Sequence, residues 1–140
     1  MSSRPKANSF MSDTVSPSST LPLLSQAELD DVIKKHIKFI QCKRGGARAV
    51  VKMKSLVGLT FHGLDMSNSD FTGSDLRGCN MVGANFHNAI FYGCNMVGAN
   101  MERGDFSRAD FRGADVTGAN LVDANMAGAD LRQGAKIIAQ

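Results

Sequence analysis

The sequence lacks the features of several common protein classes. No apolar run approaches the ~20 residues that a transmembrane helix needs, so the sequence predicts no membrane-spanning helix. Residues 1–20 contain seven Ser but lack the apolar core of ~7–15 residues typical of a secretory signal. The three Cys are odd in number, which argues against a disulfide framework and favours a reduced, cytoplasmic setting.

Motifs for catalysis are missing as well. The sequence contains no phosphate-binding loop, no dinucleotide fingerprint and no nucleophile placed beside a base. The His and Cys residues do not show the spacing of metal ligands, and His36 falls on the apolar face of a predicted helix. We therefore expect a protein that is not an enzyme and that holds no metal or cofactor.

What the sequence does contain is a repeat of five residues. Residues 56–135 divide into sixteen such units, and the first position of every unit is a large apolar residue. The fourth position is usually Ala, Ser or Cys, the fifth is usually Asp or Asn, and Gly recurs at the third. Self-similarity at a fixed period is typical of a solenoid.

A period of five fits neither an amphipathic helix nor an alternating strand. If the small and the large residue both point inward, the other three positions face water and form a bend, and four bends close a coil of twenty residues. Every fourth unit then stacks in one inward column. Two of these predicted core columns consist of Phe71, Phe91, Phe111 and Leu131, and of Met66, Phe86, Phe106 and Met126.

These units resemble those of the pentapeptide repeat family. The family motif is matched by Ala84-Asn85-Phe86, by Ala109-Asp110-Phe111-Arg112-Gly113 and by Ala129-Asp130-Leu131. The resemblance implies an all-β solenoid, namely a right-handed quadrilateral β-helix, here of about four coils. Buried Cys79 and Cys94 would fill small inward positions, and the recurrent Asp residues would bond nearby backbone N–H groups instead of forming catalytic pairs.

The residues before the repeats predict a leader and a cap. Residues 1–20 are too polar to order themselves and predict a disordered leader, although an organelle transit peptide stays open. Residues 21–46 predict a helix that begins with a capping box, Ser25 and Glu28. Its apolar face, with Leu29, Ile33 and Ile37, would cover the open end of the core, and residues 47–55 would lead into the first coil.

The repeat ends before residues 136–140. Lys136 falls where the next large apolar residue is expected. Two explanations stay open: Ile137 and Ile138 cover the last coil, or a second copy of the chain does. Because related proteins often dimerise through this end, the resemblance favours a homodimer.

Charge is distributed unevenly along the chain. Residues 1–55 carry ten Lys and Arg against four Asp and Glu, a net +6, whereas residues 56–140 carry six against nine, a net −3. The basic part suits an acidic partner, nucleic acid or an anionic membrane surface, but a solvated helix face and loop is the favoured explanation. Because the sequence has no Trp and one Tyr and does not interleave aromatic residues with the cations as a single-strand-binding surface does, nucleic acid is disfavoured.

Two classes of function remain, and neither is enzymatic. The first is a rigid scaffold for protein–protein interaction. The second is implied by the resemblance, since some family members mimic duplex DNA and bind or protect DNA gyrase. The net −3 of the repeats is far below the roughly one charge per 1.7 Å of duplex DNA, so the scaffold is favoured.

One stretch of the outer surface departs from the polar pattern. Ile90 replaces the usual Asp or Asn, Tyr92 follows two residues later, and Val97 lies just past the next corner. Clustered apolar residues that include Tyr are typical of interfaces. We expect Ile90, Tyr92 and Val97 to form a protein-binding patch, unless Ile90 merely covers an imperfect turn around Asn88.

Overall fold

A computed structural model describes residues 20–132 and residue 136. Among these residues there is one α-helix, α1, at Gln26–Ile40, and it precedes a solenoid. The β-structure consists of isolated parallel bridges, most of which join a residue to the one twenty positions later, as from Asp70 to Ile90. The coil of twenty residues predicted from the sequence is therefore confirmed. The disordered leader predicted for residues 1–20 lies outside the described residues except for Thr20.

The bridges fall into four columns, and each column marks one face of the coil. Face 1 carries Ser55, Asp75, Asn95 and Asp115; face 2 carries Thr60, Asn80, Asn100 and Asn120; face 3 carries Asp65, Asn85, Asp105 and Asn125; face 4 carries Val50, Asp70, Ile90, Asp110 and Asp130. The corners between faces are four-residue turns closed by backbone hydrogen bonds. In one of them Cys79 N–H donates to Leu76 O over 3.2 Å, and Gly78 has a φ of 65°, the positive value that a type II turn requires at its third position.

The fifth position of the unit holds the turn in place. Among the fourteen such positions from 65 to 130, thirteen carry an Asp or Asn whose Oδ1 accepts a hydrogen bond from the backbone N–H two residues later. This local bond explains why Asp and Asn recur, as the sequence predicts. The exception is Ile90.

The interior is a stack of aromatic rings. Phe71, Phe91 and Phe111 are fully buried, with ring centroids 5.8 Å and 5.1 Å apart. In the neighbouring column Met66 is fully buried above Phe86 and Phe106, whose rings stack at 5.3 Å. These predicted core columns are confirmed from their first members down to the third coil. Cys79 and Cys94 are likewise buried at small inward positions.

The lower end of the predicted core is wrong at Leu131. This side chain is 39% exposed, and Met126 is only partly buried against the core. The physical reason is that the described residues include no coil beneath them on faces 3 and 4, so their lower side has nothing to pack against. Lys136 also differs from expectation, because it bridges Asp115 and so occupies the outward fifth position one residue late, instead of an inward slot.

At the upper end, α1 packs its apolar face onto the solenoid. The helix begins at the predicted capping box: Glu28 N–H donates to Ser25 Oγ over 3.1 Å, and Ser25 N–H donates to Glu28 Oε1 over 2.8 Å. Leu29 and Ile33 are buried in the same cluster as Ala49, Val51 and the repeat core, and Ile37 is partly buried against it. No residue of the described chain lies in a helix long and apolar enough to span a bilayer.

The upper edges of three faces, and the corner beside the fourth, are bonded by different groups. On face 1, Ser55 pairs with Leu23 of the segment before α1, and on face 4 the lead-in residue Val50 pairs with Asp70. On face 2 a side chain replaces the missing strand: Gln26 Oε1 accepts from Thr60 N–H over 2.9 Å, and Gln26 Nε2 donates to Thr60 O over 3.3 Å.

Beside face 3, two side chains bond the corner that follows Asp65. His36 Nε2 donates to Ser67 O over 2.9 Å, and Arg48 Nη1 donates to Asn68 O over 2.9 Å. Three faces therefore have the edge of their uppermost coil bonded to a group above it, and next to face 3 the bonds are made at the corner. An unpaired sheet edge invites association with another chain, and these bonds reduce the edge that this end offers.

Candidate protein-binding surface

Ile90 and Tyr92 lie on face 4, on either side of the inward Phe91. The backbone ladder runs through them without interruption, because Ile90 N–H donates to Ser69 O over 2.8 Å and Tyr92 O accepts from Gly73 N–H over 2.8 Å. Tyr92 is 43% exposed, whereas Ile90 is half-buried. The departure from the repeat pattern therefore changes the surface and leaves the backbone fold unaltered.

The equivalent positions in the other coils of face 4 carry polar pairs. Arg112 Nε donates to Asp110 Oδ1 over 2.9 Å, and Arg112 Nη2 donates to Asp110 Oδ2 over 2.7 Å. Asp130 and Arg132 repeat this two-point contact one coil below. Ile90 and Tyr92 replace both members of this polar pair, so the surface is apolar at the position where the coils below carry an ion pair.

The Arg112 guanidinium lies over the Tyr92 ring, 5.3 Å from its centroid. A cation at this distance from an aromatic face is attracted by it and restrains the ring. Arg112 belongs to this surface, although its place in the sequence does not predict this. Asp110 and Arg112 share their spacing with Asp130 and Arg132, which indicates a local ion pair, but only the stacking of coils places Arg112 against Tyr92.

Val97 is separated from this pair. It is 36% exposed and lies at the next corner, so the polar bridge column of face 1, which includes Asn95, runs between it and Tyr92. The predicted patch thus has two neighbouring members, Ile90 and Tyr92, bordered by Arg112. Val97 is an exposed apolar residue one corner away.

Arginines neutralise several acidic residues of the repeats. Asp75 has no exposed side-chain surface, and Arg77 Nη2 lies 2.8 Å from its Oδ2. Hydrogen bonds from Arg132 lower the pKa of Asp130 to about 2, and the bonds from Arg112 lower the pKa of Asp110. These carboxylates stay ionised at neutral pH, but each one faces a cation.

Two of the three cysteines are buried and hydrogen-bonded within the fold, whereas Cys42 is exposed. Cys79 and Cys94 donate Sγ–H to Leu56 O and Phe71 O, over 3.0 and 2.9 Å, and burial raises the pKa of each thiol to about 12. A thiol in this state is neither a nucleophile nor a metal ligand. Within the described part of the chain, no three His, Cys, Asp or Glu residues come together as a metal site would require.

Two comparisons identify the repeat. Pentapeptide repeats match residues 69–108 and 105–134, in eight copies. The chain is also similar to the crystal structure of a pentapeptide repeat protein from the thylakoid lumen of Arabidopsis thaliana, with 39% identity, a TM-score of 0.53, and coverage of 54% of this chain and 52% of that one. None of the curated proteins matches the chain.

Two further solved structures are similar. One is HetL, a pentapeptide repeat protein involved in heterocyst differentiation regulation in the cyanobacterium Nostoc, with 24% identity, a TM-score of 0.58, and coverage of 64% of this chain and 45% of HetL. The other is QnrB1, a plasmid-mediated fluoroquinolone resistance protein, with 25% identity, coverage of 59% of this chain and 48% of that one, and a TM-score of 0.38, which is too low to support an argument. The chain spans about half the length of the solved structures that it matches.

The repeats of this chain therefore belong to the pentapeptide repeat family. Their fold is the right-handed quadrilateral β-helix of the solved relatives, and the four columns of bridges are its four faces. Membership of this family defines the repeat fold and does not identify a binding partner.

Proposed function

We propose that the protein is a non-enzymatic scaffold that binds a partner protein through the outer surface of its solenoid. One observation carries this proposal. Of the fourteen fifth positions from 65 to 130, Ile90 alone lacks the side-chain hydrogen bond that holds the turn, and Tyr92, two residues later, stands where Arg112 and Arg132 supply a polar partner in the coils below. An apolar pair at this place does nothing for the turn, so we assign it to recognition.

The surrounding surface supports this assignment. Tyr presents a large contact area with little side-chain entropy, and Arg112 beside it adds a charged border. The backbone beneath is held by ladder bonds on both sides. A partner would therefore meet a preformed surface and need not order it.

The test exchanges the apolar pair for the family's polar one. Ile90→Asp with Tyr92→Ser restores the residue types found elsewhere, as at Asp105 and Ser107. We expect the thermal melt to be unchanged or raised and capture of the partner from a native extract to fall. Val122→Ser, at an exposed apolar site on face 2, is the control. Unchanged capture and unchanged oligomeric mass in the double variant would contradict the proposal.

Mimicry of duplex DNA is the alternative, and the surface weakens it. The carboxylates of Asp75, Asp110 and Asp130 are each paired with an arginine two residues later. Paired carboxylates present little negative potential to a protein that grips DNA. A supercoiling assay with purified DNA gyrase separates the two functions, since a scaffold of this kind leaves the reaction unchanged at any concentration.

We assign the two ends of the solenoid different roles. Helix α1 serves as the cap of the upper end, supported by the burial of Leu29 and Ile33. The C-terminal coil serves as the contact between two copies of the chain, supported by the exposure of Leu131. Leu131→Lys should halve the mass measured by light scattering if this homodimer forms, and an unchanged mass would exclude this contact.

The predicted location is cytoplasmic. The three cysteines of the described chain are free, which suits a reducing compartment. Cell fractionation tests this directly, and recovery in an oxidising compartment or an organelle lumen would contradict it.

A further inference from the structure

The positive charge of the molecule is concentrated in one region. Residues 32–64 contain eight Lys and Arg and no Asp or Glu. Five of the eight lie between residues 34 and 44, on the second half of α1 and the loop after it: Lys34, Lys35, Lys38, Lys43 and Arg44. We call these five residues, together with Phe39, the basic surface.

The loop after α1 folds back against the helix and brings these charges together. Lys43 N–H donates to Lys38 O over 2.8 Å, and Ala47 N–H donates to Lys35 O over 3.0 Å. Gly46 lies so close to the Phe39 backbone that a Cβ there would clash with it, so the return is tight. The loop cations are therefore held beside the helix cations.

Within residues 20–132 and residue 136, none of these five cations forms an ion pair. Other basic residues in that part of the chain do: Lys52 pairs with Asp70, and Arg77 pairs with Asp75. Phe39 is 43% exposed among them and stacks on His36 with ring centroids 6.0 Å apart. Several cations of the repeats are thus paired within the fold, whereas those of the basic surface are not. An unpaired cluster of one sign is complementary to a polyanion.

We propose that the basic surface docks the protein on an anionic lipid membrane. Five cations attract acidic headgroups without requiring a fixed pattern of partners, and the exposed Phe39 ring has a place at the level where the headgroups meet the acyl chains. A phosphate backbone of nucleic acid offers no such apolar layer, and one exposed ring is not a stacking platform for bases. Because Leu29 and Ile33 are buried against the solenoid, the helix does not insert its apolar face, and contact is peripheral.

This docking is mainly electrostatic and correspondingly sensitive to salt. Each Lys or Arg near an acidic bilayer contributes about fivefold to the partition coefficient. Removing two cations should therefore weaken binding about thirtyfold. The scaffold's apolar pair at Ile90 and Tyr92 belongs to the solenoid and plays no part in this contact.

The experiment measures co-sedimentation of the full chain with phosphatidylcholine vesicles, with and without phosphatidylserine. We expect binding to the mixed vesicles alone, and its loss at high salt. Lys34→Gln with Lys38→Gln should weaken it about thirtyfold, whereas Arg103→Gln with Arg108→Gln, which changes the net charge equally on the repeats, should weaken it little. Phe39→Ser should weaken it with no change in charge.

Three results would overturn the proposal. They are equal binding to neutral vesicles or no binding to the mixed ones, equal weakening by the two double variants, and release from the mixed vesicles by duplex DNA at equal phosphate concentration. The last result would assign the surface to nucleic acid. Circular dichroism of each variant at the start shows that its fold is retained.

Discussion

The two ends of the solenoid are built differently. At the upper end, three of the four faces have their first coil bonded by something above it: Leu23 and Val50 through the backbone, and Gln26 through its amide. Next to face 3, the side chains of His36 and Arg48 bond the corner that follows Asp65. At the lower end, the N–H groups of Leu121 and Met126 have no backbone partner within the described residues, although their counterparts Met101 and Phe106 donate to the next coil.

A solenoid end therefore needs two kinds of closure. The apolar core needs a cover, and we propose that α1, whose Leu29 and Ile33 are buried in the core cluster, is the cover above. The strand edges need hydrogen-bond partners, and an α-helix cannot provide them through its backbone, because its own N–H and C=O groups are already paired. The backbone at Leu23 and Val50, together with side chains of α1 and of the lead-in, provides these partners instead. A second copy of the chain is our proposed cover below.

Charge placed between α1 and the core should cause the largest loss of stability. Ile33→Asp with Ile37→Asp would bury unpaired carboxylates against the core, at a cost of about 3–5 kcal/mol or more. We expect aggregation or loss of the cooperative melt. Leu131→Asp at the other end should cost the single chain less than about 1 kcal/mol, because its side chain is already partly in water there. A normal melt for the double variant would show α1 to be a free appendage.

Removing one core side chain from the middle of the solenoid should destabilise it more than removing one from the lower end. Phe91 contacts four other rings, so Phe91→Ala should lower the free energy of unfolding by about 3–5 kcal/mol. Met126→Ala should lower it by only about 1–2 kcal/mol, since that side chain is partly exposed. Urea midpoints measure both. Equal losses would mean that the lower coil is covered as completely as the middle.

Acid should loosen the upper end first. His36 is buried, its Nδ1 accepts from Ala49 N–H over 2.8 Å, and its Nε2 donates to Ser67 O, so the fold requires the neutral ring. Burial lowers the pKa of His36 below 6.5, with Arg48 acting in the same direction and Asp65 against it. The unfolded chain therefore binds the proton more readily, and stability falls as the pH drops below 6.5.

The carboxylates act only at lower pH. Their pKa values are lowered from 4.5 in Glu28 and from 3.8 in Asp70, so their contribution is lost below those values. Between pH 6.5 and 4.5 the melting temperature should thus follow His36. In His36→Gln the melting temperature should be lower throughout but flat across this window. A slope equal to that of the unaltered chain would assign the effect to another group.

The sequence predicts those parts of the structure that repeat. The large residue at Phe91, the small one at Cys94 and the Asp or Asn beside each turn follow from the period alone, and the capping box at Ser25 follows from a local motif. Leu131 obeys the same period but is exposed, because burial depends on a neighbouring coil and not on the residue itself.

The edge closures could not be predicted. Gln26 acts on Thr60, which is 34 residues away, and nothing in either residue's surroundings in the sequence indicates this pairing. Arg112 likewise reaches the Tyr92 ring only because the coils stack. Ile90 and Tyr92 lie on one face as outward residues, and Val97 lies past the next corner, as its spacing in the sequence indicates; their role as a protein-binding patch stays a prediction.

The smallest expected effect concerns the amide that replaces a strand on face 2. Gln26→Ala removes the acceptor for Thr60 N–H and the donor to Thr60 O, at a cost of about 1 kcal/mol. Because the loss is local, the global melt should move little, while amide hydrogen exchange at Thr60 should become markedly faster. Gln26→Glu is the matched control, since its carboxylate still accepts from Thr60 N–H but cannot donate to Thr60 O. We expect slow exchange in Gln26→Glu and fast exchange in Gln26→Ala. If exchange at Thr60 is equally slow in both variants, the edge of face 2 is protected by the bulk of α1 and not by the side chain that bonds to it.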